Sequence, residues 1–248
     1  MLNIVPVWKP LPQIYDLGRG GCHHRFQSST EFVDLVGRTV GQNEAVLDLA
    51  AGTGDVSREL QKRGYQNISL ADRSEGMLRI AKRKLGENVS TYVTSMRNMN
   101  LGKSYDAIIV RQAINYLMDY EGLVDGFRAM HVHLNEGGRL VFNAPNFNEG
   151  SEYKERSLEY EHGDYYVKVR ELNLNEGRMI IHTQHCVLTK KDGSEIKKVY
   201  DLNRFGVFTK DEFGHALREA GFESVQFLGK GLRDCVQGSK TLYCVAKK

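Results

Sequence analysis

The sequence of 248 residues predicts an α/β fold, in which a mostly parallel sheet is followed by an antiparallel segment. Up to Pro145, short apolar runs alternate with amphipathic helical segments, which is the pattern of strands joined by helical crossovers. Beyond Pro145 the crossovers stop, and the strand-like runs between 165 and 202 are separated only by turns. The last two runs, "FESVQFLG" and "TLYCVAKK", have no helix between them, so we expect the final strand to be antiparallel to its partner.

The predicted elements are taken from hydrophobic periodicity and from helix-capping residues. Strands of the first half are expected at 45–50, 68–72, 89–93, 105–110 and 139–144. Helices are expected at 30–40, at 55–64, after the N-cap Ser74, and along the stripe from Leu123 to Leu134. In the second half, a helix is expected at 151–162. Strands are expected at 165–172, 178–188 and 195–202. A last helix is expected to begin with the capping box of Thr209 and Glu212. We expect a single domain over 1–248, with an N-terminal arm over 1–40 and an antiparallel insertion over 151–205.

Composition and charge exclude several classes of protein. The net charge is +3, and the basic residues are scattered among acidic ones, so no nucleic-acid-binding stripe is predicted. The four cysteines form no CxxC pair, which argues against a zinc site, and we expect no metal. No signal peptide and no membrane-spanning apolar run is visible, so a cytoplasmic protein with reduced thiols and no membrane partner is predicted.

The stretch "VLDLAAGTGD" (46–55) predicts a ligand-binding turn after a buried strand. Gly52 and Gly54 begin a dinucleotide-type pattern, but Ser57 stands where its third glycine would be. Asp55 opens the next helix and would repel a pyrophosphate, which argues against NAD and FAD. No Gly-Lys-Ser/Thr follows, so a Walker loop is excluded.

Two further acids indicate which ligand fits. Asp48 lies at the end of the first strand and can accept hydrogen bonds from a cationic group above the turn. Asp72 ends the second strand, where a carboxylate can bind the hydroxyls of a ribose. These features predict a ligand with a ribose, a positive group and no pyrophosphate, and S-adenosylmethionine fits this description.

The chain resembles the class I S-adenosylmethionine-dependent methyltransferases through four motifs in order: "VLDLAAGTGD", "LADRSEGML", "YDAIIVRQAINYL" and "LNEGGRLVFNAP". The resemblance covers roughly 40–145 and 207–248, and it implies a Rossmann-like sheet with an antiparallel last strand. It also implies a cofactor site that leaves S-adenosylhomocysteine as product. The implied cofactor-binding residues are Tyr15, Arg19, Asp48, Ala50, Gly52, Gly54, Asp72, Arg73, Met77, Ser95, Met96 and Arg111.

Roles follow from the same resemblance. Gly52 and Gly54 would pack under the methionine part beside the Ala50 backbone, Asp48 would face the ammonium group, and Asp72 would bind the ribose. Arg73 or Met77 would cover the adenine, and Arg111 would lie on the sulfonium side. The family often has an acid after the third strand; here "VTSMRNMN" has none, so Ser95 with the Met96 backbone takes that place.

The insertion (151–205) and the N-terminal "IYDLGRGGCHHRF" resemble, in outline, sugar-amine and natural-product N-methyltransferases, in which such segments form the roof and lid of the active site. Tyr15 and Arg19 would reach the cofactor's carboxylate end or the acceptor. Candidate catalytic residues are Tyr15, His24, Tyr116, His182 and His185, although methyl transfer needs no obligatory base. His182 and His185 are expected on opposite faces of one strand.

The predicted function is methyl transfer to a small molecule, at nitrogen in preference to oxygen or carbon. The Asn/Asp-Pro-Pro-Tyr/Phe signature of methylases that act on nucleic-acid bases is absent at 111–116. Alternatives are O- or C-methyl transfer, a non-catalytic S-adenosylmethionine-binding regulator, and, disfavoured by the missing glycine, a nicotinamide-dependent oxidoreductase. The protein is expected to be a monomer or homodimer.

Overall fold

The computed structural model describes residues 23–145, 154–229 and 241–248, with only the backbone for 23–29, 154, 156 and 162. The first half consists of α1 (His23–Thr39), β1 (Val46–Leu49), α2 (Asp55–Lys62), β2 (Ile68–Asp72), α3 (Glu75–Leu85), β3 (Ser90–Val93), β4 (Tyr105–Arg111), a 3₁₀ turn (Ile114–Leu117), α4 (Tyr120–Val132) and β5 (Leu134–Pro145). The second half consists of β6 (Lys154–His162), β7 (Tyr165–Asn175), β8 (Met179–Lys190), β9 (Ile196–Gly206), α5 (Lys210–Glu219), β10 (Ser224–Leu228) and β11 (Thr241–Lys247).

The central sheet has seven strands in the order β10-β11-β5-β4-β1-β2-β3. Neighbours among β1 to β5 are parallel, while β11 is antiparallel to both β5 and β10. The strand order reverses at β1, whose neighbours are β2 on one side and β4 on the other. The carboxyl ends of these strands therefore frame a crevice in which ligands bind in such sheets. The predicted Rossmann-like sheet with an antiparallel last strand is confirmed.

Both faces of this sheet are buried, because consecutive strand residues point into different cores. Leu47, Leu49 and Phe142 pack with α4 and α5, around Phe127 and Phe213. Val46, Leu70 and Ile109 pack on the other face with α1, α2 and α3, around Phe32 and Leu60. β1, β2 and β4 are consequently mostly apolar, as expected for parallel strands covered by helices on both sides, and Asp48 and Ser69 are their buried polar residues. Leu134, predicted to end the helical stripe, instead begins β5.

The insertion forms a second sheet of four antiparallel strands in the order β6-β7-β8-β9. The helix predicted over 151–162 is wrong for 154–162, which is strand β6. Leu158 and Tyr160 alternate with Glu159 and Glu161, and this period of two allows one apolar face to pack on the next strand. Three prolines of the predicted N-terminal arm, and the rest of 1–22, lie outside the described residues.

Candidate functional site

One cavity of about 620 Å³ lies between the carboxyl ends of β1, β2, β3 and β4, with the segments that follow them, and one face of the insertion sheet. We call the part of its wall that comes from the central sheet the floor, and the part that comes from β7, β8 and β9 the roof. The predicted cofactor residues that line the floor are Asp48, Ala50, Gly52, Asp72, Arg73, Met77, Ser95, Met96 and Arg111. The roof contributes Glu171, Asn173, His182, Gln184, Asp201, Asn203 and Phe205.

The turn after β1 has an unusual backbone conformation, with three residues in the left-handed region. Ala50, Gly52 and Gly54 all have positive φ angles, of 57°, 58° and 78°. For Ala50 this left-handed conformation is strained, and such strain persists where the surrounding structure holds it. Gly54 does not line the cavity: a Cβ there would lie 2.6 Å from a methyl group of Leu85. Gly54 therefore lets α2 approach α3, while Gly52 forms the cavity wall.

Asp48 is a buried acid, with 2 % of its surface exposed, at the base of the floor. Ser57 Oγ donates a 2.6 Å hydrogen bond to Asp48 Oδ2. Burial raises the pKa of Asp48 to about 7, against the opposing effects of the Ser57 hydrogen bond and the Arg111 charge. The serine at the position of the missing third glycine thus holds this carboxyl group in place, and a cation brought into the cavity would favour its ionised form.

Asp72 connects the first two turns of the sheet edge. Its Oδ2 accepts a 2.9 Å hydrogen bond from Gly52 N, and its Oδ1 accepts one of 2.8 Å from Ser74 N. Burial raises the pKa of Asp72, and these backbone hydrogen bonds oppose the rise. The carboxyl group is therefore held rigidly at the end of β2, where Arg73 and Met77 also line the floor.

Asp55 lies beside this turn, and its charge is partly balanced. Lys84 Nζ lies 2.8 Å from Asp55 Oδ1, and both side chains remain partly exposed. The repulsion of a pyrophosphate expected from Asp55 is weakened by this lysine. The stronger structural argument against a dinucleotide is Ser57, because its buried side chain fills the place of the third glycine.

The segment after β4 joins the floor to the roof. Gln112 and Met118, on either side of the 3₁₀ turn, have positive φ angles of 51° and 70°. Asn115 Nδ2 donates a 2.8 Å hydrogen bond to the Gly206 carbonyl at the end of β9. A Cβ at Gly206 would lie 2.5 Å from the Met118 carbonyl oxygen, so only glycine permits this close approach.

Tyr116 adds a second connection between the two walls. Its ring packs against Phe205, with centroids 4.8 Å apart, and its hydroxyl lies 3.4 Å from Asn203 Oδ1. On the floor side, the Arg73 guanidinium lies 5.5 Å from the centre of the same ring. A predicted catalytic candidate thus contacts residues of both walls.

The roof presents two rows of polar side chains to the cavity. In one row, β-sheet pairing places Glu171, Gln184 and Asp201 side by side, and Gln184 Nε2 donates a 2.9 Å hydrogen bond to Glu171 Oε1. In the next, Asn173, His182 and Asn203 are neighbours. Within the second row His182 Nδ1 lies 2.8 Å from Asn173 Oδ1, and between the rows Asn203 Nδ2 donates to Asp201 Oδ2. This half of the sheet face is therefore suited to a polar ligand.

Further from the cavity the same face becomes apolar. The next rows contain Val169, Cys186 and Val199, then Val167 and Leu188, all buried. Burial raises the pKa of the Cys186 thiol to about 11, so it remains protonated. One face of the insertion sheet thus has two regions: its apolar rows form the buried cluster of the sheet, and its polar rows line the cavity.

Comparison with known proteins agrees with this geometry. Residues 46–138 match a family model described as "Methyltransferase domain". Residues 46–138 form a methyltransferase domain. A curated relative, "Putative methyltransferase YqeM" of Bacillus subtilis, is 25 % identical over 125 residues, a match that spans about half of each chain (49 %).

Two solved structures share the fold of the methyltransferase domain together with its insertion. CalS10 of Micromonospora echinaspora, an amino pentose methyltransferase, has a TM-score of 0.74 at 20 % identity, with 95 % of this chain and 97 % of that chain covered. The sugar N-methyltransferase KedS8 of Streptoalloteichus has a TM-score of 0.76 at 22 % identity, with 95 % and 93 % covered. At these identities the likeness shows the fold.

The predicted catalytic candidates divide into three groups. Tyr116 and His182 line the cavity. His185 lies on the opposite face of β8, stacked on Tyr200 with ring centroids 4.3 Å apart, so the predicted separation of the two histidines is confirmed. Tyr15 and Arg19 lie outside the described residues, and of His24 only the backbone, in α1, is described.

Several cavity residues were not singled out in the sequence. They are Asn115 and the roof residues Glu171, Asn173, Gln184, Asp201 and Asn203. The five roof residues share one signal, a polar residue at alternate positions of β7, β8 and β9, and it becomes readable only when the register between the strands is known. Among the described residues, no group of three metal-ligating side chains occurs and no helix is long and apolar enough to cross a membrane.

Proposed function

We propose that this protein transfers a methyl group from S-adenosylmethionine to a nitrogen atom of a small polar molecule. The observation that carries the proposal is that one cavity combines a floor of methyltransferase type with a polar roof. O- and C-methyl transfer remain the alternatives for the acceptor atom. A cytoplasmic location, and a monomer or homodimer that uses neither nucleic acid nor membrane, stay predictions.

The floor fits S-adenosylmethionine by its own chemistry. A buried carboxyl group at Asp48, whose pKa is raised to about 7, gains most from a cation placed beside it, and the ligand carries an ammonium group. Asp72 is held by two backbone amides at the strand end where a ribose is bound in related sheets. Met77 is buried with its side chain on the cavity wall and offers an apolar surface for the adenine.

Bound S-adenosylmethionine supplies an electrophilic methyl carbon, whose bond to sulfur breaks as the acceptor's lone pair forms the new bond. The protein's own task is to hold the acceptor in line with that carbon and to exclude water. The roof is the part of the protein assigned to this task, because β7, β8 and β9 line the same cavity as Asp48 and Asp72. Tyr116 and His182 are the described candidates for removing the acceptor's proton, since both line the cavity.

The size and the polarity of the cavity favour a small acceptor. A volume of about 620 Å³ accommodates the donor and a ligand of modest size. The six polar side chains of the two roof rows include both hydrogen-bond donors and acceptors, as hydroxyl and amino groups of a sugar-like molecule require. CalS10 and KedS8 are named as methyltransferases of amino pentose and sugar nitrogen, which supports nitrogen as the acceptor atom.

Isothermal titration calorimetry tests the cofactor assignment. The protein should bind S-adenosylhomocysteine and not NAD, and tight NAD binding would contradict the proposal. Asp72→Ala should weaken S-adenosylhomocysteine binding by tenfold or more, since a hydrogen bond to a charged group contributes about 1.5–3 kcal/mol. Asp192→Ala is the matched control, because Asp192 Oδ1 accepts from Ser194 N just as Asp72 Oδ1 does from Ser74 N, but in an exposed turn.

A further inference from the structure

Asn115 carries a buried hydrogen-bond acceptor in the cavity wall that the fold does not satisfy. The residue is 2 % exposed and lines the cavity. Its Nδ2 donates to the Gly206 carbonyl, which fixes the orientation of the amide. Its Oδ1 accepts no hydrogen bond from any residue in the described part of the chain. A buried acceptor in this state destabilises the fold, so its retention calls for a ligand that donates to it.

The roof that faces the same cavity is acidic. Glu171 and Asp201 are 7 % and 9 % exposed, and both line the cavity. The roof's contribution to the cavity, as far as it is described, contains no lysine or arginine; the arginines of the wall, Arg73, Arg97 and Arg111, come from the floor. A ligand group that enters under the roof therefore meets two carboxyl groups among the hydrogen-bond acceptors of the wall.

We propose that Asn115, Glu171 and Asp201 select the methyl acceptor as a cationic amine that carries at least one spare N–H. This inference rests on the proposed function and specifies the acceptor within it. The two roof carboxylates attract the protonated amine, and Asn115 Oδ1 accepts one of its N–H groups. Loss of a different proton, to Tyr116 or His182, frees the lone pair, while the N–H bonded to Asn115 sets the direction of that lone pair.

The position of Asn115 explains how one side chain can orient the acceptor amine towards the donor. It lies four residues beyond Arg111, the last residue of β4, so it belongs to the segment that borders the donor floor. Its hydrogen bond to Gly206 also fixes it to the last residue of β9 in the roof. An amine bound to its Oδ1 is therefore held at the boundary between donor and acceptor regions. The roof charge disfavours acceptors that carry a phosphate or carboxylate near the reacting nitrogen.

The test uses protein saturated with S-adenosylhomocysteine and a matched pair of probes at neutral pH. D-glucosamine and D-glucose differ in one group, an ammonium in place of a hydroxyl, and their affinities are compared by calorimetry or ligand-observed NMR. The wild type should bind glucosamine at least about tenfold more tightly than glucose, the equivalent of about 1.4 kcal/mol. Equal affinities, or no glucosamine binding by the S-adenosylhomocysteine complex, would overturn the proposal.

Variants assign the preference to residues. Glu171→Gln and Asp201→Asn should each reduce glucosamine affinity severalfold or more and leave glucose affinity and S-adenosylhomocysteine affinity within about twofold. Glu159→Gln is the matched control: Glu159 lies in the same sheet, is exposed, and pairs with Lys168 away from the cavity. If all three variants lower glucosamine affinity equally, the effect is one of general charge and the roof assignment is wrong.

Asn115→Ala should reduce glucosamine affinity and leave S-adenosylhomocysteine affinity within about twofold. A large loss of S-adenosylhomocysteine binding would instead assign Asn115 Oδ1 to the cofactor and refute the acceptor role. Because this variant also removes the bond to Gly206, thermal unfolding checks that it folds, and Glu171→Gln and Asp201→Asn decide the charge selection independently. Failure of the wild type to bind S-adenosylhomocysteine at all would contradict the proposed function and is thereby distinguished from failure of this inference.

Discussion

Replacing Asp48 by asparagine should change how the stability of the protein depends on pH. The pKa of the buried Asp48 is about 7 in the folded protein against an ordinary value of 3.8, so the folded state holds this proton more tightly than the unfolded state. The proton on Asp48 therefore stabilises the folded state. This contribution to the free energy of unfolding is fully present below about pH 4 and is lost as the pH rises through about 7. A shift of about three units at about 1.4 kcal/mol per unit gives about 4 kcal/mol over the full range.

About 2–3 kcal/mol of this change falls between about pH 5 and pH 8, where the protein can be handled. Urea unfolding of both proteins across that range measures it. The free energy of unfolding of Asp48→Asn should rise relative to wild type by this amount from the acid to the alkaline end, because asparagine has no proton to lose. A constant offset from the altered contact with Ser57 does not affect the slope. Parallel pH curves for the two proteins would refute the reasoning.

The same group links pH to ligand binding. If the ammonium group of S-adenosylhomocysteine lies beside Asp48, the wild type should bind S-adenosylhomocysteine more tightly as the pH rises through about 7. Asp48→Asn should bind S-adenosylhomocysteine weakly at every pH. Ser57→Ala removes a hydrogen bond that favours the ionised carboxyl, so it should move the wild-type transition to higher pH. A transition that stays in place in Ser57→Ala would show that Asp48 is not the titrating group.

Two further predictions concern glycines around the site. Gly54→Ala should destabilise the protein by about 2–4 kcal/mol in urea unfolding, because the new methyl group would lie 2.6 Å from Leu85 and the residue has positive φ. Gly86→Ala is the control, because Gly86 also has positive φ but has open space around its Cβ position, so this variant should be destabilised clearly less. Gly206→Ala should cost about 1–3 kcal/mol, because the Met118 carbonyl cannot move aside, and should weaken glucosamine binding more than S-adenosylhomocysteine binding. Equal losses for both ligands would show that Gly206 does not act on the roof alone.

The central sheet was predictable because its signals are local. The strand predicted at 68–72 is observed as Ile68–Asp72, and Ser74 caps α3 with its side chain accepting from Met77 N. The capping box of Thr209 and Glu212 is likewise present in α5. Each of these depends on residues a few positions apart, whose hydrophobic period or hydrogen bonding does not require knowledge of distant parts of the chain.

The roof was less predictable because its signals are not local. In β6, charged residues alternate with Leu158 and Tyr160, and the apolar partners that select a strand belong to β7. The polar rows are recognisable only across three strands, where Glu171 meets Gln184, and Gln184 meets Asp201. Asn115 is the clearest case, since its hydrogen bond reaches Gly206, 91 residues further along the chain.

The division of the cavity into floor and roof separates two requirements on the sequence. The floor is bound to the central sheet: Asp48 is fixed by Ser57 in α2, and Asp72 by the amides of Gly52 and Ser74. The roof side chains lie on strands whose packing depends on other rows of the same face, so they can be exchanged without disturbing the floor. Asn115 and Tyr116 are the exception, because they contact residues of the roof from the segment after β4. A change of acceptor is therefore expected to begin in the polar rows, whereas a change at Asn115 must preserve both the contact with β9 and an acceptor for the substrate's N–H.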